Sequence, residues 1–276
     1  MANQDLSRES SSGVPLWGRV WAPEGNVRAV VVLVHGLGEH IQRYQHVAEK
    51  MNARGIALLG FDQQGHGKSG GKRGVINSGQ GLMEDITGAI KLAREIYPGV
   101  PVFLYGHSMG SLEALYYGLH GTESLKGIIA TSPPLDTNSM SKAQRALVVT
   151  LKNLLPNLTV DNGLPIDGLS RDAANNQAYR EDPLVHPKAS VRLAGFMLEG
   201  AEDIMAHAHS WQVPLYLAHG SADPICPVTG SDQFAQRLGA KVTYKRWEGL
   251  FHETHNELNK DIVIDAMLDW IDSQLS

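Results

Sequence analysis

Apolar runs that predict strands alternate with stretches of helical spacing along most of this chain. The strands are predicted at residues 16–21, 29–34, 56–61, 101–105, 126–131, 213–219 and 241–247, and the helices at 44–54, 81–97, 111–117, 229–238 and 259–274. The run at 29–34 is continuous and β-branched, as in a strand buried on both faces, whereas 16–21 alternates and suits an edge strand. Strands that alternate with helices predict an α/β fold with a mostly parallel central sheet and helices on both faces.

Residues 134–209 break this alternation, because they hold several helical patterns and no convincing strand. Residues 157–171 are loop-like and 193–208 are helical. One helical stripe consists of Ala143, Ala146, Leu147, Thr150, Leu151, Leu154 and Leu155. The chain thus predicts an α/β core of residues 1–133 and 210–276 with a helical cap inserted at 134–209. The simpler interpretation of the stripe is packing of the cap on the core, and the alternative is an acyl tunnel or a face that contacts lipid.

Composition narrows the function classes. The chain has 276 residues, is 42% hydrophobic and 19% charged, and carries a net charge of −5, so it has no basic surplus for nucleic-acid binding. Its single cysteine, Cys226, excludes an intramolecular disulfide and is compatible with a reducing compartment. The polar first 13 residues contain no apolar segment typical of a signal peptide, and the longest apolar run is too short to span a bilayer. We expect a cytoplasmic protein that contacts membranes, if at all, peripherally; the sequence does not indicate an oligomeric state.

The pentapeptide Gly106-His107-Ser108-Met109-Gly110 is the most specific chemical signal. It lies between a predicted strand and a predicted helix, which is the context of a nucleophile elbow. Two glycines permit the tight reversal that exposes the serine hydroxyl. The N–H of Met109 is then expected at the start of the next helix, where it stabilises a developing negative charge.

Serine needs a base and a group that orients the base. Asp223 and His252 each follow a predicted strand, and the order Ser, Asp, His is that of α/β-hydrolases. His252 is expected to act as general base and then general acid, with Asp223 fixing its tautomer. The second oxyanion donor is expected after strand 29–34, at the N–H of Leu37, while His35 holds that loop.

Other motifs do not support further chemistry. Asp62 occupies the position where a phosphate-binding loop needs glycine, and the histidines at 252 and 255 lack the spacing of a zinc-protease helix. We therefore expect no metal and no cofactor. Cys226, three residues after Asp223, is most simply a small buried hydrophobe, and the alternative is a thiol near the site.

Several motifs together resemble monoacylglycerol lipases and their relatives among the serine α/β-hydrolases. The resemblance rests on the block from His35 to His40 with Arg43 and Tyr44, the turn from Phe61 to Ser69, the elbow, and Gly220 to Asp223 with Cys226. Cap segments at 155–158, 169–171 and 179–184 also resemble that family, so the similarity runs from about residue 16 to 271.

The resemblance implies an α/β-hydrolase fold and hydrolysis of monoacylglycerol to glycerol and fatty acid through an acyl-serine. It further implies a polar pocket for the alcohol portion, formed by Glu39, Arg43, Tyr179 and His255, although Glu39 and Arg43 alone would suit a surface ion pair. Leu37 replaces the family's usual small residue, so acyl-length preference does not carry over. A broader carboxylesterase, lipase or lysophospholipase is the main alternative, followed by an acyltransferase and a non-catalytic receptor.

Overall fold

A computed structural model describes residues 3–136 and 141–276, so residues 1–2 of the expected core and 137–140 of the expected cap lie outside it. Its main sheet has eight strands in the order β1-β2-β4-β3-β5-β6-β9-β10, and a second sheet has two, β7 and β8. The strands are β1 Gln4–Glu9, β2 Pro15–Trp21, β3 Ala29–Val34, β4 Ile56–Phe61, β5 Val102–His107, β6 Gly127–Thr131, β7 Thr159–Asp161, β8 Lys188–Ser190, β9 Leu215–Gly220 and β10 Val242–Trp247. The helices are α1 Gln45–Ala53, α2 Gly79–Ile96, α3 Met109–His120, α4 Lys142–Leu154, α5 Ala173–Glu181, α6 Val191–His207, α7 Val228–Leu238 and α8 Lys260–Leu275.

The centre of the sheet is parallel and buried, as the continuous apolar runs predict. Strands β3, β4, β5, β6, β9 and β10 pair in parallel, and every residue of β3 and β5 is buried. Helices α1 and α8 bury apolar residues in the cluster on one face, and α2, α3 and α7 do so in the cluster on the other. This is the α/β-hydrolase fold.

Parallel strands place their carboxyl ends along one edge of the sheet, where sites form in open α/β sheets. His35 follows β3, Ser108 follows β5, and Asp223 and His252 follow β9 and β10 within a few residues. The topology therefore brings candidate residues that follow four different strands to one rim.

The edge of the sheet differs from the prediction. Strand β2 was expected at the edge, but β1 pairs with it antiparallel over Gln4–Glu9 and occupies that position. In β1 only Leu6 and Arg8 are half-buried, and the rest is exposed. An edge strand of this kind lacks the apolar run that identifies a central strand.

The insert segment, residues 134–209 without 137–140, also corrects two expectations. It does contain strands, since β7 and β8 form a short antiparallel pair within it. The leucine stripe on α4 does not pack on the core, because α4 has no buried residue, and Leu147 and Leu154 are 57% and 70% exposed. Helix α4 instead lies on α6, with an ion pair between Lys152 and Glu199.

Backbone hydrogen bonds join the insert segment to the rim loops. The N–H of His186 donates to the carbonyl of Gly38 (3.0 Å), and the N–H of Glu253 donates to the carbonyl of Leu169 (2.7 Å). The N–H of His252 also reaches the carbonyl of Gly168 at 3.4 Å. The insert is thus connected to both the loop after β3 and the loop after β10.

No helix within residues 3–136 and 141–276 is both long and apolar enough to cross a membrane.

Candidate active site

Ser108 lies on a strained turn between β5 and α3. Its φ is 52° and its ψ is −120°, a backbone conformation that residues other than glycine rarely adopt. A Cβ on Gly106 would lie 2.1 Å from the carbonyl oxygen of Gly110, and one on Gly110 would lie 2.1 Å from that of Val34. Only glycine fits at these two positions, so the elbow motif has a steric cause.

Asp223 and His252 form a close buried pair. Nδ1 of His252 lies 2.7 Å from Oδ2 of Asp223, and both side chains are almost fully buried. Burial alone raises the pKa of Asp223, but the charge of His252 and hydrogen bonds from His219 and His252 outweigh it and lower that pKa. Burial lowers the pKa of His252, yet the Asp223 carboxylate raises it well above its ordinary value. The pair therefore stabilises an imidazolium, which forms when a histidine takes a proton from serine.

The loop after β3 is held by hydrogen bonds among its own polar groups and by Gln63, which follows β4. The N–H of Gly36 donates to Oε1 of Glu39 (2.6 Å), and Nδ1 of His35 is 2.8 Å from the carbonyl oxygen of Gly36. The side chain of Gln63 donates to the carbonyl of His35 (3.0 Å). Burial lowers the pKa of His35 to about 3, so its ring is neutral and serves as a structural hydrogen-bonding group.

Two N–H groups remain open for an oxyanion. Among the described residues, the N–H groups of Leu37 and Met109 donate to no other group, and Met109 is the first residue of α3. A Cβ on Gly36 would lie 3.3 Å from Cβ of Ser108, so the loop approaches the serine closely. The assignment of these two N–H groups as the oxyanion donors stays a prediction.

A cavity of about 620 Å³ joins these groups. Ser108, His252 and Leu37 line it, together with residues of the insert segment. Its apolar lining includes Leu164, Leu169, Met197 and Ile225, and its polar lining includes Glu39, Tyr179, Asn162 and Glu253. A second cavity of about 690 Å³ shares Asn162, Leu164 and Tyr179 with it and therefore adjoins it.

Arg43 lies in a buried ion network beside this cavity. Its guanidinium donates to Glu39 (2.7 Å) and, with two nitrogens, to Glu253 (2.6 and 2.8 Å), and it lies 4.7 Å from the ring centre of Tyr179. Although burial by itself raises the pKa of Glu253, the charge of Arg43 lowers it well below its usual range. Arg43 thus holds three residues in place that line the cavity, Glu39, Glu253 and Tyr179.

His255 does not reach the cavity. It lies in a short 3-10 turn, Thr254–Asn256, and its ring stacks on Tyr44 with the centroids 4.9 Å apart. Burial lowers its pKa to about 3, and neither ring nitrogen has a hydrogen-bond partner among the described residues. Its position is that of a packing residue behind the loop rather than a substrate contact.

Two residues near the site were not expected from the sequence. Glu253 follows His252 directly, and His219 is the penultimate residue of β9, with its ring hydrogen-bonded to Asp223. Each could have been noticed as a titratable residue at a strand end, but their partners come from distant parts of the chain.

No group of three or more His, Cys, Asp or Glu side chains within residues 3–136 and 141–276 is arranged to hold a metal ion.

Cys226 is buried and lines the cavity together with Ser108 and His252. The maleimide adduct of this thiol would occupy the space beside Ser108. We expect N-ethylmaleimide to remove most of the esterase activity of the wild type. The variant Cys226→Ser, which lacks the only cysteine, should keep its own untreated rate in the presence of the reagent. Equal fractional inhibition of both proteins would exclude this role, and substrate added first should slow the modification.

Comparison with known proteins agrees with the geometry. The family model described as Serine aminopeptidase, S33, matches residues 25–259. A monoacylglycerol lipase of Mycolicibacterium smegmatis is 33% identical over 266 residues, which are 95% of this chain and 95% of that protein. An abhydrolase domain-containing protein of Dictyostelium discoideum is 36% identical over 93% of this chain, which spans only 28% of that protein.

The fold agrees as well. The crystal structure of a monoacylglycerol lipase from Paleococcus ferrophilus matches with a TM-score of 0.84 and 31% identity, covering 99% of this chain and 100% of that one. The family model matches 235 consecutive residues, and a relative covered over 95% of its length is 33% identical. Both comparisons therefore support the same family assignment. The chain belongs to the Serine aminopeptidase, S33, family of α/β-hydrolases, among relatives that include monoacylglycerol lipases.

Proposed function

We propose that this protein is a serine hydrolase that cleaves monoacylglycerol to glycerol and a free fatty acid through an acyl-serine intermediate. The observation that carries the proposal is the strained Ser108 in one cavity with His252, whose ring is bound to the buried Asp223. The similarity to monoacylglycerol lipases supports the choice of substrate.

In this proposal Ser108 attacks the ester carbonyl while His252 accepts its proton. The N–H groups of Leu37 and Met109 stabilise the oxyanion, and His252 returns the proton to the glycerol oxygen that leaves. His252 then activates a water molecule that releases the fatty acid. Every step uses side chains or backbone groups of this chain and needs no cofactor.

The insert segment acts as a cap that completes the substrate cavity. It contributes the apolar residues Leu164, Leu169 and Met197, which suit an acyl chain. Glu39 and Tyr179, supported by Arg43, suit the hydroxyl groups of glycerol. Leu37 also lines the cavity, so its bulk shapes the space beside the reacting carbonyl.

A substrate panel at fixed enzyme concentration tests the assignment. It compares monoacylglycerol with diacylglycerol, triacylglycerol and lysophosphatidylcholine of the same acyl chain. We expect the highest kcat/KM for monoacylglycerol, because the lining of the cavity, as far as the described residues form it, offers Glu39 and Tyr179 to hydroxyl groups and no lysine or arginine to a phosphate. A preference for lysophospholipid or triacylglycerol would select the broader lipase or lysophospholipase, and transfer to an added alcohol would reveal an acyltransferase.

The exposed apolar surface of the cap fits transient contact with a lipid surface. It consists of residues of α4, of the connection that follows and of β7, namely Leu147, Val149, Leu154, Leu155, Leu158 and Val160, all at least 39% exposed. Exposed apolar residues so closely grouped along one segment mark an interaction surface. Contact there would bring the insoluble substrate to the cap.

Vesicle binding measures this contact. We expect the double variant Leu147→Ser/Leu154→Ser to bind phosphatidylcholine vesicles about tenfold or more weakly, because two large apolar side chains no longer leave water. The matched control is Leu258→Ser/Ile262→Ser. Leu258 and Ile262 are similarly exposed, at 69% and 62%, but lie just before α8 and in its first turn, outside the insert segment. Equal binding by both double variants would contradict the proposal, whereas dimer formation lost with Leu147 and Leu154 would identify a second copy as the partner.

A further inference from the structure

One oxygen of Asp223 accepts hydrogen bonds from two imidazoles. Oδ2 lies 2.7 Å from Nδ1 of His252 and 3.0 Å from Nε2 of His219. The other oxygen accepts the N–H groups of Ile225 (2.8 Å) and Cys226 (3.0 Å). The carboxylate is therefore held from four sides, and His219 supplies the one contact that comes from a side chain other than His252.

The environment of His219 fixes where its proton lies. Nε2 is close to two acceptors, Oδ2 of Asp223 and the carbonyl oxygen of Cys226 (2.8 Å), so this nitrogen must carry the hydrogen. Nδ1 lies 2.7 Å from the hydroxyl of Ser231 on α7, which donates to it when the ring is neutral. Both His219 and Ser231 have 0% exposure, so no solvent competes for these bonds.

We propose that His219 is a positioning residue that acts through Asp223, orienting its carboxylate and limiting its pull on the His252 proton. This inference rests on the proposed function and adds a fourth residue to its proton-transfer machinery. A hydrogen bond to an anion withdraws negative charge from the oxygen that accepts it. Without the His219 donor, Oδ2 would bind the His252 proton more tightly, and the carboxylate could rotate away from the geometry that the base needs.

The other groups that act on His252 come from several elements. His107 at the end of β5 lies 5.0 Å from its ring, measured between centroids, and His255 and Cys226 are further titratable neighbours. Charge on His252 lowers the pKa of His107 and of His255, whereas the Asp223 carboxylate raises the pKa of His252. Among the described side chains, His219 hydrogen-bonds the carboxylate without contacting His252, so a variant there changes the carboxylate and leaves the other neighbours of His252 in place.

The test compares His219→Leu, which removes the donor, with His219→Gln, whose amide nitrogen can replace Nε2 but cannot be charged. We expect kcat to fall about 10- to 100-fold in the leucine variant and most of the rate to return in the glutamine variant. The surface variant His120→Leu, which also removes a histidine paired with an aspartate, serves as the control. Thermal unfolding of each protein checks that the fold is retained.

Two readouts do not depend on the substrate. One is the rate at which a fluorophosphonate probe labels Ser108 as a function of pH, and the other is the titration of the His252 imidazole by NMR. The pKa from both should rise in His219→Leu and stay near the wild-type value in His219→Gln. A wild-type His252 titration in the leucine variant, or equal losses in both variants, would overturn the proposal for His219. If the pKa of His252 shifts in the two variants as expected but the wild type cleaves no acyl ester, the proposed function fails, while the positioning of Asp223 by His219 is supported.

Discussion

Replacing Ser108 with alanine is expected to lower kcat toward acyl esters by about 10⁶-fold, the loss typical of removing a nucleophile that acts together with its base. The side chain lines the cavity beside His252, and alanine leaves that geometry without a nucleophile. Turnover of a p-nitrophenyl ester measures the loss, and labelling by a fluorophosphonate probe should disappear with it.

The fold should survive this change. Alanine and serine are equally strained at a φ of 52°, so the unfolding temperature should change little. The matched control Ser210→Ala removes a hydroxyl from an exposed turn and should leave both turnover and labelling at wild-type levels. Undiminished turnover by a folded Ser108→Ala protein would refute the nucleophile assignment and, with it, the proposed reaction.

The second large effect concerns stability. Replacing Arg43 with methionine is expected to reduce the free energy of unfolding by about 3–5 kcal/mol, because it leaves carboxylates buried without a counter-charge. Both carboxylates concerned, Glu39 and Glu253, have side chains no more than 3% exposed. Denaturant titration at pH 7 measures the loss, and adding Glu253→Gln to the methionine variant should restore part of it.

The pH dependence gives this prediction a sign. In the wild type Arg43 holds the pKa of Glu253 below its unfolded value, so this stabilisation is present above about pH 4.3 and is lost as pH falls further. In the methionine variant burial raises that pKa, so the variant should regain stability as pH falls from 7 toward 5. The surface control Arg54→Met should cost about 1 kcal/mol or less, since its partners Asp269 and Asp272 remain solvated. A similar loss in both variants would contradict the role of the buried network.

Sequence patterns predicted the elements that depend on continuous apolar burial. Strands β3 and β5 were identified because all their residues are buried, and the fold prediction followed from their alternation with helices. The patterns failed where stability comes from few contacts: β1 has two half-buried residues, and β7 and β8 have three residues each. The apolar stripe of α4 correctly predicted a helix, but it wrongly predicted that the core would bury the leucines of the stripe.

The site shows the same division. Chain order and strand ends indicated Ser108, Asp223 and His252, because the topology of a parallel sheet dictates where strand ends meet. Chain order could not indicate that Glu253 would pair with Arg43, which lies 210 residues away in the sequence. Nor could spacing show that a 3-10 turn directs His255 onto Tyr44, since helix type depends on tertiary contacts.

The backbone bonds between the insert segment and the rim have a consequence for how a lipid arrives. Lifting the whole segment would break the bonds that His252 and Glu253 donate to it, and the bond that Gly38 accepts beside the oxyanion donor, so opening and loss of catalytic geometry would coincide. We therefore expect substrate to reach Ser108 while the insert segment stays bound to the rim loops.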